Sequence, residues 1–138
     1  MKLLSFSVNG EQSFSLIKND SVIDLKKKLN GKFEDLKSLL AVENLAETIQ
    51  SIENTESDYA LTDIQFEPVI PNPGQIFCIG LNYGEHVKET QREVTEKPMI
   101  FMRLAPSQIG HNQPLLRPVE AEQFDYEGGV AIVIGKGG

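Results

Sequence analysis

The sequence predicts an α+β fold in two parts, a small α+β domain over residues 1–68 and a second domain over residues 69–138. Three observations carry this. Short runs with partial period-2 alternation are separated by Asn9-Gly10 and Asn19-Asp20, dipeptides that tolerate the positive φ of tight turns. Apolar residues at helical spacing follow from Phe33 to Ile52. Pro68, Pro71 and Pro73, three prolines within six residues, then separate that region from a set of short apolar strands.

In chain order, Leu3–Val8 and Gln12–Ile17 read as strands joined through Asn9-Gly10, whose type I′ preference matches the twist of a hairpin. Ser21–Leu25 reads as a third short strand. Phe33, Leu36, Leu39 and Leu40 fall on one stripe of a 3.6-residue helix. Val42, Leu45, Ile49 and Ile52 repeat the spacing, so the pair predicts a helical hairpin, with Lys26-Lys27-Lys28, Glu34, Asp35, Glu43 and Glu47 on its solvated face. The proline stretch is predicted extended, because proline fixes φ and pushes its predecessor out of the α region.

Beyond it, Gln75–Gly80 reads as an apolar strand, and Asn82 as the cap of a helix from Tyr83 to about Thr90, with Glu85 completing a capping box. Met99–Met102 is a further strand, and Leu104–Pro118 a loop punctuated by proline and glycine. A strand opens at Phe124. Val130–Ile134, apolar and rich in β-branched residues, reads as a strand covered on both faces, which needs partners from earlier in the chain or from another chain.

Composition narrows the function. Hydrophobic residues make up 40% and charged residues 24% of 138, the balance of a globular chain. No apolar run approaches the ~20 residues that span a bilayer, and the N-terminus has no apolar signal region, so the expectation is a cytoplasmic protein with no membrane partner. A net charge of −7 argues against nucleic acid. Cys78 is the only cysteine, which excludes an internal disulfide and a multi-cysteine zinc site; within an apolar strand it reads as a buried thiol.

Four features bear on chemistry. His86 and Glu89 lie three apart on the predicted helix, and a carboxylate beside an imidazole orients the ring and raises its basicity, as a general base requires. Asp125 and Glu127 alternate on the strand opening at Phe124, a spacing at which two carboxylates can share a hard divalent cation. Arg103 can hold a substrate carboxylate, and Tyr83 can hydrogen-bond a ligand. Taken one at a time, each feature has a commoner inert reading: a surface helix pair, a solvated strand edge, a surface ion pair, a packed ring.

In order along the chain, Pro71–Tyr83, His86-Val87-Lys88-Glu89, Ile100-Phe101-Met102-Arg103, Glu122–Gly128 and Val130–Lys136 resemble the fumarylacetoacetate hydrolase family. The match is dense over residues 71–138, and residues 1–68 resemble the family's small N-terminal domain. The resemblance implies that the second domain is the first part of a mixed β-roll, often dimeric, so that a homodimer is among the expected assemblies. It implies a metal-dependent hydrolase, isomerase or decarboxylase of small β-dicarbonyl acids, in diketo or keto-enol form. It places the proton-moving pair at His86 and Glu89, substrate contacts at Arg103 and Tyr83, and metal ligands at Glu127 and, by substitution, Asp125. The loop 91–97 becomes part of a lid. The expected cofactor is Mg²⁺, or Mn²⁺ or Ca²⁺.

The sequence departs from the family at Gly129, where the Glu-x-Glu metal motif has its second carboxylate. The family's third carboxylate lies further along than residue 138. Weak metal binding is therefore expected. The alternative reading is a truncated, catalytically inactive member that acts as a partner-dependent binding module.

Overall fold

The computed structural model describes residues 1–89, 96–124 and 128–136, with the backbone alone at His86 and Glu89. The fold is α+β. Two compact units are present, one of Met1–Pro71 with Ile109–Gly138 and one of Asn72–Gln108.

The first unit is built on an antiparallel sheet. Strand β1 (Lys2–Val8) turns through Asn9 and Gly10, at φ 53° and 82°, into β2 (Glu11–Lys18). Asn19 and Asp20, at φ 50° and 60°, make a second two-residue turn into β3 (Ser21–Asp24). Both turns have the positive φ pair of type I′, the geometry that keeps twisted strands in register. Two-residue strands complete the edges, β4 (Tyr59–Ala60) beside β3 and β5 (Gln65–Phe66) beside β1, giving the order β4-β3-β2-β1-β5.

The register explains why the alternation in the sequence is only partial. Residues directly opposite share a face, so Leu4 and Phe6 lie on one side and Phe14, Leu16 and Ile23 on the other. The second side packs against Leu25, Leu36, Leu39, Ile49, Ile52 and Ile70. The first is covered by Tyr59, Leu61, Ile64 and Phe66. A sheet covered on both faces needs apolar doublets such as Leu3-Leu4, Leu16-Ile17 and Val22-Ile23.

The helices are shorter than the periodicity predicts. A one-turn helix, α1 (Leu25–Lys28), starts at the fully buried Leu25, so β3 ends one residue earlier than expected. Its cap is Asp24, whose carboxylate accepts from the Lys27 backbone N–H at 3.1 Å and from the Ser13 hydroxyl at 2.7 Å. Helix α2 (Leu36–Leu40) begins only after the extended Asp35, which forms a reciprocal capping box with Ser38. Phe33 therefore joins the core from outside the helix. In α3 (Leu45–Gln50), Val42 and Ile52 likewise fall beyond the ends. The predicted helical hairpin is thus two helices of five and six residues, their apolar spacing continued by turns.

The proline stretch stays with this unit. The Ser5 hydroxyl donates to the Val69 carbonyl at 2.8 Å, the Glu67 N–H donates to the Ser5 carbonyl at 3.0 Å, and Ile70 is buried.

The second unit holds a two-stranded antiparallel ribbon, β6 (Ile76–Gly80) with β7 (Met99–Arg103), and helix α4 (Gly84–Glu89) between them in sequence. Val130–Ile134 forms no strand. No described strand pairs with it, and Ile132 and Ile134 are largely exposed.

Candidate active site

The strand–turn–helix that carries the histidine is set by its connection. β6 ends at Gly80, Leu81 takes a left-handed φ of 56°, and α4 starts three residues later at Gly84. The Val87 N–H donates to the Tyr83 carbonyl at 3.1 Å, which makes Tyr83, rather than Asn82, the residue that opens the helix. With that shift Glu85 is one position too early for a capping box; its carboxylate pairs instead with the exposed Lys88 at 2.8 Å. Val87 is buried.

His86 and Glu89 both fall within α4, three residues apart. Their side chains lie outside the described residues. Tyr83 is half exposed just before the helix. Arg103 closes β7, paired with Ile76 at the far end of the ribbon from the Gly80–Met99 pair that leads into α4. Its backbone thus belongs to the strand, one residue further than the sequence reading extends it. Cys78 is only partly buried, which corrects the expectation of a buried thiol: among the described residues the ribbon has two strands and an open surface.

Asp125 and Glu127, together with the strand expected at Phe124–Gly128, fall on residues outside those described, as does most of the loop 91–97. Gly129 is described and supplies no carboxylate. Among the described residues no three metal-ligating side chains come together.

A second histidine, His111, has a packing role. His111 meets the Phe66 ring edge-on, with centroids 5.3 Å apart, inside a turn where Gln113 donates to the Phe66 carbonyl at 2.9 Å. No apolar periodicity marks that turn; its local signals are Gly110, Pro114 and Asn112, which takes a φ of 62°.

Residues 75–138 match the family described as fumarylacetoacetate (FAA) hydrolase C-terminal. A Dictyostelium discoideum protein, fumarylacetoacetate hydrolase domain-containing protein 2 homolog, is 32% identical across 99% of this chain. The chain belongs to the fumarylacetoacetate hydrolase family. It spans 47% of that relative. Within the family, the Xenopus laevis mitochondrial oxaloacetate tautomerase fahd2 is 34% identical over 70% of this chain and 30% of its own length. The Escherichia coli homoprotocatechuate catabolism bifunctional isomerase/decarboxylase is 35% identical over 67% of this chain and 22% of its own length. The chain thus spans less than half of each of these relatives. A solved HpcE-type structure from Mycobacterium smegmatis aligns at a TM-score of 0.64 and 22% identity, covering 83% of this chain and 40% of that one; it bears on the fold alone.

Proposed function

We propose that this chain serves an enzyme that tautomerises, isomerises or cleaves small β-dicarbonyl acids, with keto–enol interconversion of an oxaloacetate-like acid as its simplest reaction. The observation that carries this reading is the unbroken family match over residues 75–138, shared with relatives named for oxaloacetate tautomerisation and for isomerisation with decarboxylation. These activities have a common need, a proton moved to or from a carbon between two carbonyl groups.

In this reading His86 takes that proton and Glu89 orients the ring and holds the charge that forms on it. Arg103 and Tyr83 hold the substrate's carboxylate and enol oxygen. A divalent cation, Mg²⁺ or Mn²⁺ or Ca²⁺, supplies enolate stabilisation in the family's chemistry; Asp125 and Glu127 are the side chains that would hold it, with Gly129 leaving the set one carboxylate short. A homodimer in the cytoplasm, with no nucleic-acid or membrane partner, completes the proposal.

The test is the enol-to-keto conversion of oxaloacetate, followed by ultraviolet absorbance with Mg²⁺ present. His86→Ala is expected to reduce turnover by about 10²-fold or more, the usual weight of a general acid–base. Turnover absent from the wild-type chain, or unchanged in the variant, refutes the reading.

Gly129 favours a second reading, a catalytically inactive member that acts as a partner-dependent binding module. Tight Mg²⁺ binding by the chain in isothermal titration would rule it out.

A further inference from the structure

Among the described residues, six that are not glycine take a positive φ, and five of them are asparagine or aspartate: Asn9, Asn19, Asp20, Asn30 and Asn112. Their short polar side chains hydrogen-bond the nearby backbone, so they enter the left-handed region at little cost. The sixth is Leu81, at φ 56°. A leucine there brings its Cβ against the following carbonyl oxygen and has no polar atom to compensate.

Easier residues for this conformation stand on either side, Gly80 before Leu81 and Asn82 after it, yet neither takes a positive φ. Gly80 ends β6 opposite Met99, and a Cβ on it would stand 3.3 Å from the Met99 sulfur, closer than ordinary contact. Its missing side chain makes room across the ribbon. The change of direction falls instead on Leu81, whose side chain is partly buried. Helix α4 begins three residues later at Gly84, and the Val87 N–H donates to the Tyr83 carbonyl at 3.1 Å as the helix opens. With so short a connection, a different φ at residue 81 re-aims the helix. Strained backbone persists only where the surroundings hold it, and it gathers where placement matters to function.

We infer that Leu81 is a positioning residue: its left-handed backbone sets the direction in which α4 leaves the ribbon, and with it the place of the helix backbone at position 86. This rests on the keto–enol reading above, in which that helix carries the proton-moving pair. What counts at residue 81 is then the backbone conformation rather than the apolar side chain.

Two variants separate those properties. Leu81→Asn gives up the apolar side chain and keeps access to positive φ, whereas Leu81→Val stays apolar while its branched Cβ is shut out of that region. Both are measured in the full chain by oxaloacetate kinetics and by hydrogen exchange at the Val87 amide. Leu81→Asn is expected to stay within about 2-fold of wild type in kcat, KM and Val87 exchange. Leu81→Val is expected to lower kcat about 10-fold or more with KM nearly constant, and to speed Val87 exchange by about 10-fold with the β1–β2 hairpin unchanged. The reverse order, with kcat kept by Leu81→Val and lost by Leu81→Asn, marks a packing role and overturns the inference, as does equal behaviour of the two. If Leu81→Val does not fold, Leu81→Asn decides: wild-type kcat and exchange uphold the role, and a fall of about 10-fold in kcat overturns it. A wild-type chain without turnover refutes the keto–enol reading, and Val87 exchange in the two variants then decides by itself whether Leu81 sets the helix.

Discussion

Replacing Asp24 with alanine tests the joint between the sheet and the first helix. Its carboxylate is almost wholly buried and serves two donors, the Ser13 hydroxyl across the ladder and the Lys27 N–H at the helix start. Loss of a helix cap costs about 1 kcal/mol, and loss of a buried hydrogen bond to a charged acceptor about 1.5–3 kcal/mol. The Lys27 ammonium, 3.9 Å away and more than half exposed, adds at most a few tenths of a kcal/mol. Relief of the cost of burying the carboxylate offsets part of this, which leaves about 3 kcal/mol. In exchange measurements on the β2–β3 ladder that corresponds to opening on the order of 150-fold more frequent. Asp24→Asn keeps an acceptor for both donors and should cost about 1 kcal/mol. Equal effects of the two variants, or an alanine effect below about 0.5 kcal/mol, would show that the carboxylate is not the joint described.

Three further outcomes follow from the same contacts. The Ser15 hydroxyl is fully buried with no hydrogen-bond partner among the described residues, so Ser15→Ala should leave stability unchanged or raise it by up to about 1 kcal/mol in urea unfolding; a clear loss would contradict the packing. The Tyr59 hydroxyl, as hydrogen-bond partner, holds the Lys27 ammonium above the ordinary lysine value of 10.5 against the opposing effect of desolvation, with Asp24 and Asp58 adding to it. A raised folded-state pKa contributes stability below the unfolded pKa and loses it as pH rises through the folded one, so unfolding midpoints should decline above about pH 10.5, less so in Lys27→Met. Under the proposed function, Arg103→Lys should raise the KM for oxaloacetate about 10-fold with a smaller change in kcat, since an ammonium cannot offer the guanidinium's paired donors.

How far these features are legible in the sequence depends on how local their causes are. Asn9-Gly10 and Asn19-Asp20 specify their turns by φ preference alone, and both hairpins stand where the dipeptides put them. Helix length is different. Phe33 shares the period of Leu36 and Leu39, but Asp35 is extended and stops the helix short of it, so the stripe records burial rather than helical backbone. Val130–Ile134 has strand composition, yet a strand needs a partner, and pairing is decided by other segments. At the site, α4 and β7 follow from the apolar runs and the helix spacing, whereas the left-handed backbone at Leu81 leaves no trace. Leucine favours ordinary helical or extended backbone, so a turn that rests on one has no local signal.

The two units differ in how they are held, and that difference bears on catalysis. The first unit covers both faces of its sheet, with Phe6, Phe14, Ile23 and Leu25 fully buried. In the second, every residue of β7 is exposed, and Phe77, Ile79, Ile100, Phe101 and Met102 stand at 44–59% exposure. A two-stranded ribbon alone is marginal in water. Arg103 and α4 are attached to that ribbon, and a general base must be held to well under an ångström to be effective. Amides of β6 and β7 should therefore exchange at least 10-fold faster than those of β1 and β2 in the chain alone, and any ligand or partner that raises turnover should slow them. Equal protection of ribbon and hairpin would show that the ribbon is rigid as it stands, and that precision at the site needs nothing more than these residues.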